Sequence, residues 1–144
     1  MTAHAPPPND PLSLRALISY GLAGAPLAML TLPFVVFLPP FYAGPEIGLS
    51  LRVVGLALMI ARLWDLVTDP AVGWLIDRAP TRWGARKPWI ALGAPIALIA
   101  MWRLFDPPAD AGAAHLLIWT LVFYAGGTLV LLPYAAWGAE MSAD

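Results

Sequence analysis

Two aspartates inside an apolar segment long enough to cross a bilayer constrain this chain more than any other feature. Asp65 and Asp69 both lie within residues 51–76. As a helix this segment would be about 39 Å long, and the hydrocarbon core of a bilayer is about 30 Å thick. A carboxylate at the centre of a membrane helix costs about 2.5–3.5 kcal/mol on insertion scales. We therefore expect both carboxylates to face an internal cavity and to have a function there.

The composition is that of a membrane protein. Of the 144 residues, 60% are hydrophobic and only 12% are charged, with a mean hydropathy of +0.72, whereas soluble domains contain about 25% charged residues. The net charge of −1 excludes the basic surface that binds nucleic acid. Cysteine is absent, and we see neither a nucleophile–base pair nor a metal triad. The sequence predicts no enzyme and no cofactor.

The apolar runs predict an all-α integral membrane protein with four transmembrane helices, at about residues 14–38, 51–76, 88–104 and 113–139. Pro39-Pro40 is expected to end the first helix. The polar, proline-rich residues 1–13 predict a disordered cytoplasmic tail.

The basic residues predict the orientation. The loop at 77–87 holds four of the eight, and the linkers after the first and third spans hold none. The positive-inside rule places this loop in the cytoplasm. Both ends of the segment are then cytoplasmic, and the expected location is the cytoplasmic (inner) membrane.

Four residues of the second span recur every three or four positions, which places them on one helix face. They are three charged residues, Arg62, Asp65 and Asp69, and one glycine, Gly73. One cation and two carboxylates can accept one monovalent cation or a proton, and oxygen ligands suit sodium better than a soft transition metal. Alternatively, Arg62 and Asp65 only offset each other's burial, an interpretation that leaves Asp69 unexplained.

The residues from Asp65 to Trp89 follow the pattern D-x-x-x-D-P-x-x-G-x-x-x-D-R-x-x-x-R-W-G-x-R-K-P-W. This pattern resembles the sugar:cation symporters of the glycoside-pentoside-hexuronide type, the melibiose-permease-like branch of the major facilitator superfamily. The resemblance runs from Leu14 to the end and implies the first four helices of a twelve-helix fold. The chain is thus expected to be an N-terminal fragment. Its partners would be the bilayer, a small organic solute and the remaining helices.

The resemblance also implies a cation site. The family pattern uses two aspartates of helix two, an amide just before the second, and a threonine of helix four. These map onto Asp65, Asp69, Thr68 and Thr128, with the two aspartates as ligands of the monovalent cation. Because Thr68 replaces the amide, sodium and proton coupling both remain open. Counted from the outer helix ends, Asp65 and Thr128 lie at similar depths, about 21 and 23 Å.

Two positions that bind the sugar in the family pattern are not matched in this sequence. Ala28 and Leu131 stand where the family has acidic residues that grip sugar hydroxyls. A galactoside is therefore not expected. A lysolipid, as carried by related transporters of the same branch, is an alternative solute.

The loop between the second and third spans resembles the gating loop of the superfamily. Its predicted gating residues are Gly73, Asp77, Arg78, Arg82, Gly84, Arg86 and Lys87. A plain positive-inside anchor would explain the basic residues. It would not explain Asp77, or Gly73 one turn earlier, where close helix packing is expected.

The leading hypothesis is therefore a secondary active transporter, a cation-coupled symporter of a sugar or another organic solute. The alternative is a small four-helix membrane scaffold without transport activity. A scaffold would gain little from Asp65 and Asp69.

Overall fold

The computed structural model describes residues 14–78 and 87–143, which form four α-helices and no β-strand. They are α1 (Leu14–Ala43), α2 (Leu51–Arg78), α3 (Lys87–Phe105) and α4 (Ala113–Ala143). The all-α prediction is confirmed. The expected tail at 1–13 lies outside the described residues.

The end of α1 differs from the prediction. The helix continues through Pro39-Pro40 to Ala43, although each proline inside a helix loses a hydrogen bond and crowds the carbonyl one turn earlier. Leu38 and Tyr42 on either side of the prolines are fully buried, so tertiary packing holds the last turns. The other helix bounds agree with the predicted ones to within about a turn.

Helix length and composition fit a membrane. By these two measures α3 and the stretch Ala113–Ala136 of α4 could each cross a bilayer. Helix α2, with 28 residues, is longer than either but contains three ionisable residues near its middle, Arg62, Asp65 and Asp69. Its charges, which lower its mean hydropathy, are the ones that a membrane protein must place in a cavity.

Helices α3 and α4 cross at a pair of glycines. A Cβ atom on Gly93 would lie 2.7 Å from the Gly126 carbonyl oxygen, and one on Gly126 would lie 2.6 Å from the Ala97 nitrogen. Only glycine permits this approach of two backbones, and small residues commonly mediate such crossings between membrane helices.

Among the described residues, Gly73 has few neighbours. A Cβ atom there would meet only Leu132 Cδ1 of this part of the chain, at 3.7 Å, an ordinary van der Waals distance. The close approach of two helix backbones in this part of the chain lies between α3 and α4, at Gly93 and Gly126, and close packing of Gly73 stays a prediction.

A buried core joins the four helices on the side of the α1–α2 linker. Phe34 of α1 stacks on Phe123 of α4, with ring centroids 4.4 Å apart and 14° between the ring planes. Around this pair pack the other core residues: Leu38, Tyr42, Val54, Ala57, Ala97, Ala100, Leu104, Leu116. This core fixes the depth of α2 relative to α4.

Gly126→Ala should destabilise the fold. Its methyl group would meet the backbone of α3, and overpacking of this kind costs about 1–3 kcal/mol. Unfolding in detergent micelles, followed by circular dichroism, measures the change.

The matched control is Gly127→Ala. A Cβ on Gly127 meets nothing within 4 Å, so this variant should match or slightly exceed the parent in stability, since alanine is the better helix former. Equal stability of the two variants would contradict the glycine-mediated crossing.

Candidate functional site

Thr128 of α4 lies between the two aspartates of α2. Its Oγ1 is 2.7 Å from Asp69 Oδ1 and 3.2 Å from Asp65 Oδ1. Thr128 and Asp65 are separated by 63 positions in sequence, so only the packing of α4 on α2 brings these oxygens together. Asp65, Asp69 and Thr128, which the sequence placed in one site, are neighbours in the structure.

Asp65 uses its two carboxylate oxygens for different partners. Oδ2 accepts a hydrogen bond from Arg62 Nη1 at 3.1 Å, whereas Oδ1 faces Thr128. The Asp65 side chain is only 11% exposed, and that of Arg62 is 71% exposed. Arg62 thus pairs with the outer side of Asp65 and leaves its inner oxygen beside Asp69.

The charges of the site do not balance. The hydroxyl of Thr128 has a single hydrogen and can donate to only one carboxylate at a time. Arg62 compensates one of the two negative charges, and the two neighbouring carboxylates repel each other. A small cation between them would relieve this repulsion.

The side-chain oxygens that meet here are two carboxylate oxygens and one hydroxyl oxygen. Within residues 14–78 and 87–143, no group of three or more His, Cys, Asp or Glu residues could hold a metal ion. Such a hard, sparse oxygen set suits sodium or a proton better than a transition metal.

Thr68 faces elsewhere. Its hydroxyl donates to the backbone carbonyl of Asp65 at 3.2 Å, which is the local bond that threonine commonly makes within a helix. Thr68 also does not line the cavity described below. The structure therefore does not bring its side chain to Asp69 and Thr128.

Tyr124 is a site residue that the sequence reasoning missed. The guanidinium carbon of Arg62 lies 5.5 Å from the centroid of the Tyr124 ring, within the range of a cation–π interaction. The ring also makes an edge contact with Phe34, at 5.4 Å between centroids. Its position four residues before Thr128 places both side chains on one face of α4, a spacing that could have identified it.

A cavity of about 1050 Å³ opens beside these residues, as large as the sites that bind small molecules. Its charged and hydroxyl-bearing lining residues are Thr31, Arg62, Asp65, Asp69, Tyr124 and Thr128. The other lining residues are apolar or glycine, and Leu131 is among them. The cavity thus combines apolar walls with charged groups contributed by α2.

Of the predicted gating residues, Asp77, Arg78 and Lys87 are described at the helix ends, and none of the three lines the cavity. Asp77 and Arg78 are exposed at the end of α2, where the Arg78 guanidinium lies 4.1 Å from the centroid of the Trp74 ring. Lys87 is exposed at the start of α3. The remaining members, Arg82, Gly84 and Arg86, lie outside the described residues.

The chain matches one protein family and is similar to several proteins named as symporters. The family model described as MFS/sugar transport protein matches residues 19–144. The chain is 34% identical over 125 residues to the sodium-dependent lysophosphatidylcholine symporter 1-B of Danio rerio, covering 78% of this chain and 21% of that protein. It is 28% identical over 141 residues to the inner membrane symporter YicJ of Escherichia coli, covering 94% of this chain and 30% of the relative.

A third relative is the putative glycoside/cation symporter YagG of Escherichia coli. It is 31% identical over 138 residues, which cover 92% of this chain and 29% of YagG. The chain thus spans between about a fifth and a third of the length of these three relatives. No solved structure matches the chain.

Thr128→Val should lower the free energy of unfolding in the absence of a bound cation. The variant keeps the shape but removes the donor that faces both carboxylates, and a hydrogen bond to a charged group contributes about 1.5–3 kcal/mol. The measurement is again unfolding in micelles.

Thr120→Val on the same helix is the matched control. The Thr120 hydroxyl is fully buried and has no hydrogen-bond partner among the described residues. Removing an unsatisfied hydroxyl should leave stability unchanged or raise it. If the two variants lose the same stability, the Thr128 hydroxyl does not stabilise the carboxylate pair.

Proposed function

Because the chain belongs to the MFS/sugar transport protein family, we propose that its four helices contain the cation site of a secondary active transporter, a cation-coupled symporter of an organic solute. The observation that supports this proposal best is the Thr128 hydroxyl within hydrogen-bond distance of both Asp65 and Asp69. A four-helix scaffold without transport would not need two carboxylates at this depth.

The coupling step follows from the charges. In the empty site the two carboxylates repel each other, and Arg62 compensates only one of them. A sodium ion or a proton between Asp65 Oδ1 and Asp69 Oδ1 removes the repulsion, and Thr128 supplies a third oxygen for sodium. Since occupied and empty sites differ in charge, the solute affinity of the neighbouring cavity depends on the cation, and linkage makes this dependence reciprocal.

The solute binds in the cavity beside the aspartates. The three relatives are named as symporters, one of glycosides and one of lysophosphatidylcholine. A lysolipid is the second candidate because the cavity walls are largely apolar and Leu131 lines them. The acidic side chain that the sugar-symporter pattern places at this position is absent.

We also propose that the connection between α2 and α3 faces the cytoplasm and takes part in gating. Asp77 and Arg78 at the end of α2 and Lys87 at the start of α3 are exposed and available to a partner on another part of the transporter. Both ends of the segment would then be cytoplasmic, in an inner membrane like that named for YicJ.

Asp69→Asn should abolish the stimulation of uptake by a sodium or proton gradient while downhill exchange of the solute continues. The substitution keeps the shape and removes one charge, so the site no longer gains from a cation. Uptake into liposomes that contain the complete protein, with imposed ion gradients, measures it.

The control is Asp110→Asn, which removes an exposed carboxylate between α3 and α4 and should leave ion dependence unchanged. Gradient-driven uptake by the Asp69→Asn protein with unaltered ion dependence would refute the coupling site.

Asp77→Asn or Arg78→Ala should slow turnover more than it lowers solute affinity, because a gate acts on the exchange between conformations. Transport rate and equilibrium binding are measured on the same protein. Weakened binding at unchanged turnover would argue against gating.

The orientation is tested separately by reporter fusions. A reporter fused at Gly84 should read cytoplasmic, and fusions at Pro45 and Ala109 should read extracytoplasmic.

A further inference from the structure

Arg62 stands at the boundary between the cation site and the cavity. Its Nη1 donates to Asp65 Oδ2 at 3.1 Å, yet 71% of its side chain is exposed and it lines the cavity. A guanidinium has five N–H donors in a planar fork, and one carboxylate oxygen does not exhaust them. The group can therefore contact a second anion without moving far.

Tyr124 holds the guanidinium on the cavity side. The Arg62 carbon lies 5.5 Å from the ring centroid of Tyr124, and that ring packs edge-on against Phe34. A guanidinium held beside an aromatic ring keeps N–H donors of its planar fork for other hydrogen bonds, and arginine binds carboxylates and phosphates through that fork. The pair thus has the geometry of an anion-binding group.

The rest of the cavity offers an anion nothing comparable. Among the lining residues in the described part of the chain, Arg62 is the one cation, and the remaining charged groups are Asp65 and Asp69. A neutral solute would have no need for a guanidinium at this place, whereas an anionic group can be held there, and within the described residues that line the cavity Arg62 is the group that can hold it.

We infer that Arg62, held beside the ring of Tyr124, binds an anionic group of the transported solute, a carboxylate or a phosphate, and exchanges Asp65 for this group. The inference deepens the proposed symport and rests on it. When the solute takes the guanidinium, Asp65 loses its partner and the two carboxylates attract the coupling cation more strongly. Solute and cation then raise each other's affinity through one side chain.

A static role for Arg62 predicts something different. If Arg62 only neutralised Asp65, removing it would strengthen cation binding equally for charged and neutral solutes. Exchange instead makes the cation affinity depend on whether the solute bears a negative charge. The two roles are therefore separable by binding measurements.

The test uses two matched pairs of probes on the purified complete protein. Nitrophenyl glucuronide and nitrophenyl glucoside differ by a carboxylate against a hydroxymethyl group. Lauroyl lysophosphatidic acid and monolauroyl glycerol differ by a phosphate. The first pair reports a water-soluble anion and the second a lipid headgroup, so the pair that shows a preference identifies the source of the anion.

In one pair at least, the anionic probe should bind about tenfold more tightly than its neutral partner in the presence of sodium. Saturation with that probe should raise sodium affinity about tenfold, within the usual range of coupling between sites. Arg62→Gln should abolish both effects, and Tyr124→Leu should reduce both. Tyr124→Phe, which keeps the ring, should retain most of them.

Arg103→Gln is the matched control. The Arg103 guanidinium also lies over an aromatic ring, 5.3 Å from the centroid of Trp119, but Arg103 does not line the cavity. This variant should keep the preference for the anionic probe.

A preference that survives in the Arg62→Gln protein, or no preference in either pair, overturns the inference. Failure of the proposed function has a separate signature, which is uptake by the parent protein without any dependence on an ion gradient. Ion-driven uptake without an anion preference would leave the symporter in place and remove only the anion-binding role of Arg62.

Discussion

Two carboxylates beside one another in a low-dielectric setting are the constraint on which the rest of the structure depends. Each costs about 2.5–3.5 kcal/mol to place at the middle of a membrane helix. A hydrogen bond to a charged group returns about 1.5–3 kcal/mol, so the Thr128 hydroxyl can offset at most one of them. Arg62 offsets one of the two negative charges and leaves the pair with a net charge of about −1. A cavity adjoins the two carboxylates, and in the proposed function a cation between them supplies the missing positive charge.

The α3–α4 crossing and the α4–α2 contact serve this arrangement together. Gly93 and Gly126 let α3 and α4 approach to backbone contact, and the stack of Phe34 on Phe123 anchors α4 against α1. With α4 fixed in this way, Thr128 lies at the depth of the aspartates. The hydroxyl is thus positioned by packing contacts on the opposite side of its own helix.

Tyr124 and Thr128 link the two parts of the site along one face of α4. Thr128 contacts the carboxylates, and Tyr124, one turn earlier, contacts Arg62. Asp65 lies between them and accepts from both Arg62 and Thr128. A change at either end of this row therefore alters the partners of the same carboxylate, which is the physical basis of the coupling that we propose between cavity and cation site.

The sequence by itself determined the helices and the identity of the charged stripe, because hydrophobic runs and a three-to-four residue spacing are local properties. Depth counted along the helices placed Asp65 and Thr128 at one level, and the resemblance to the symporter family named Asp65, Asp69 and Thr128 as partners. Tertiary structure alone decided the rest. Three features depend on which helix faces pack together. They are the last turn of α1 beyond Pro39-Pro40, the hydrogen bond of the Thr68 hydroxyl to its own helix, and the position of Arg62 beside the Tyr124 ring. Spacing along one chain cannot specify such choices, because helix rotation and side-chain direction are set by contacts between residues distant in sequence.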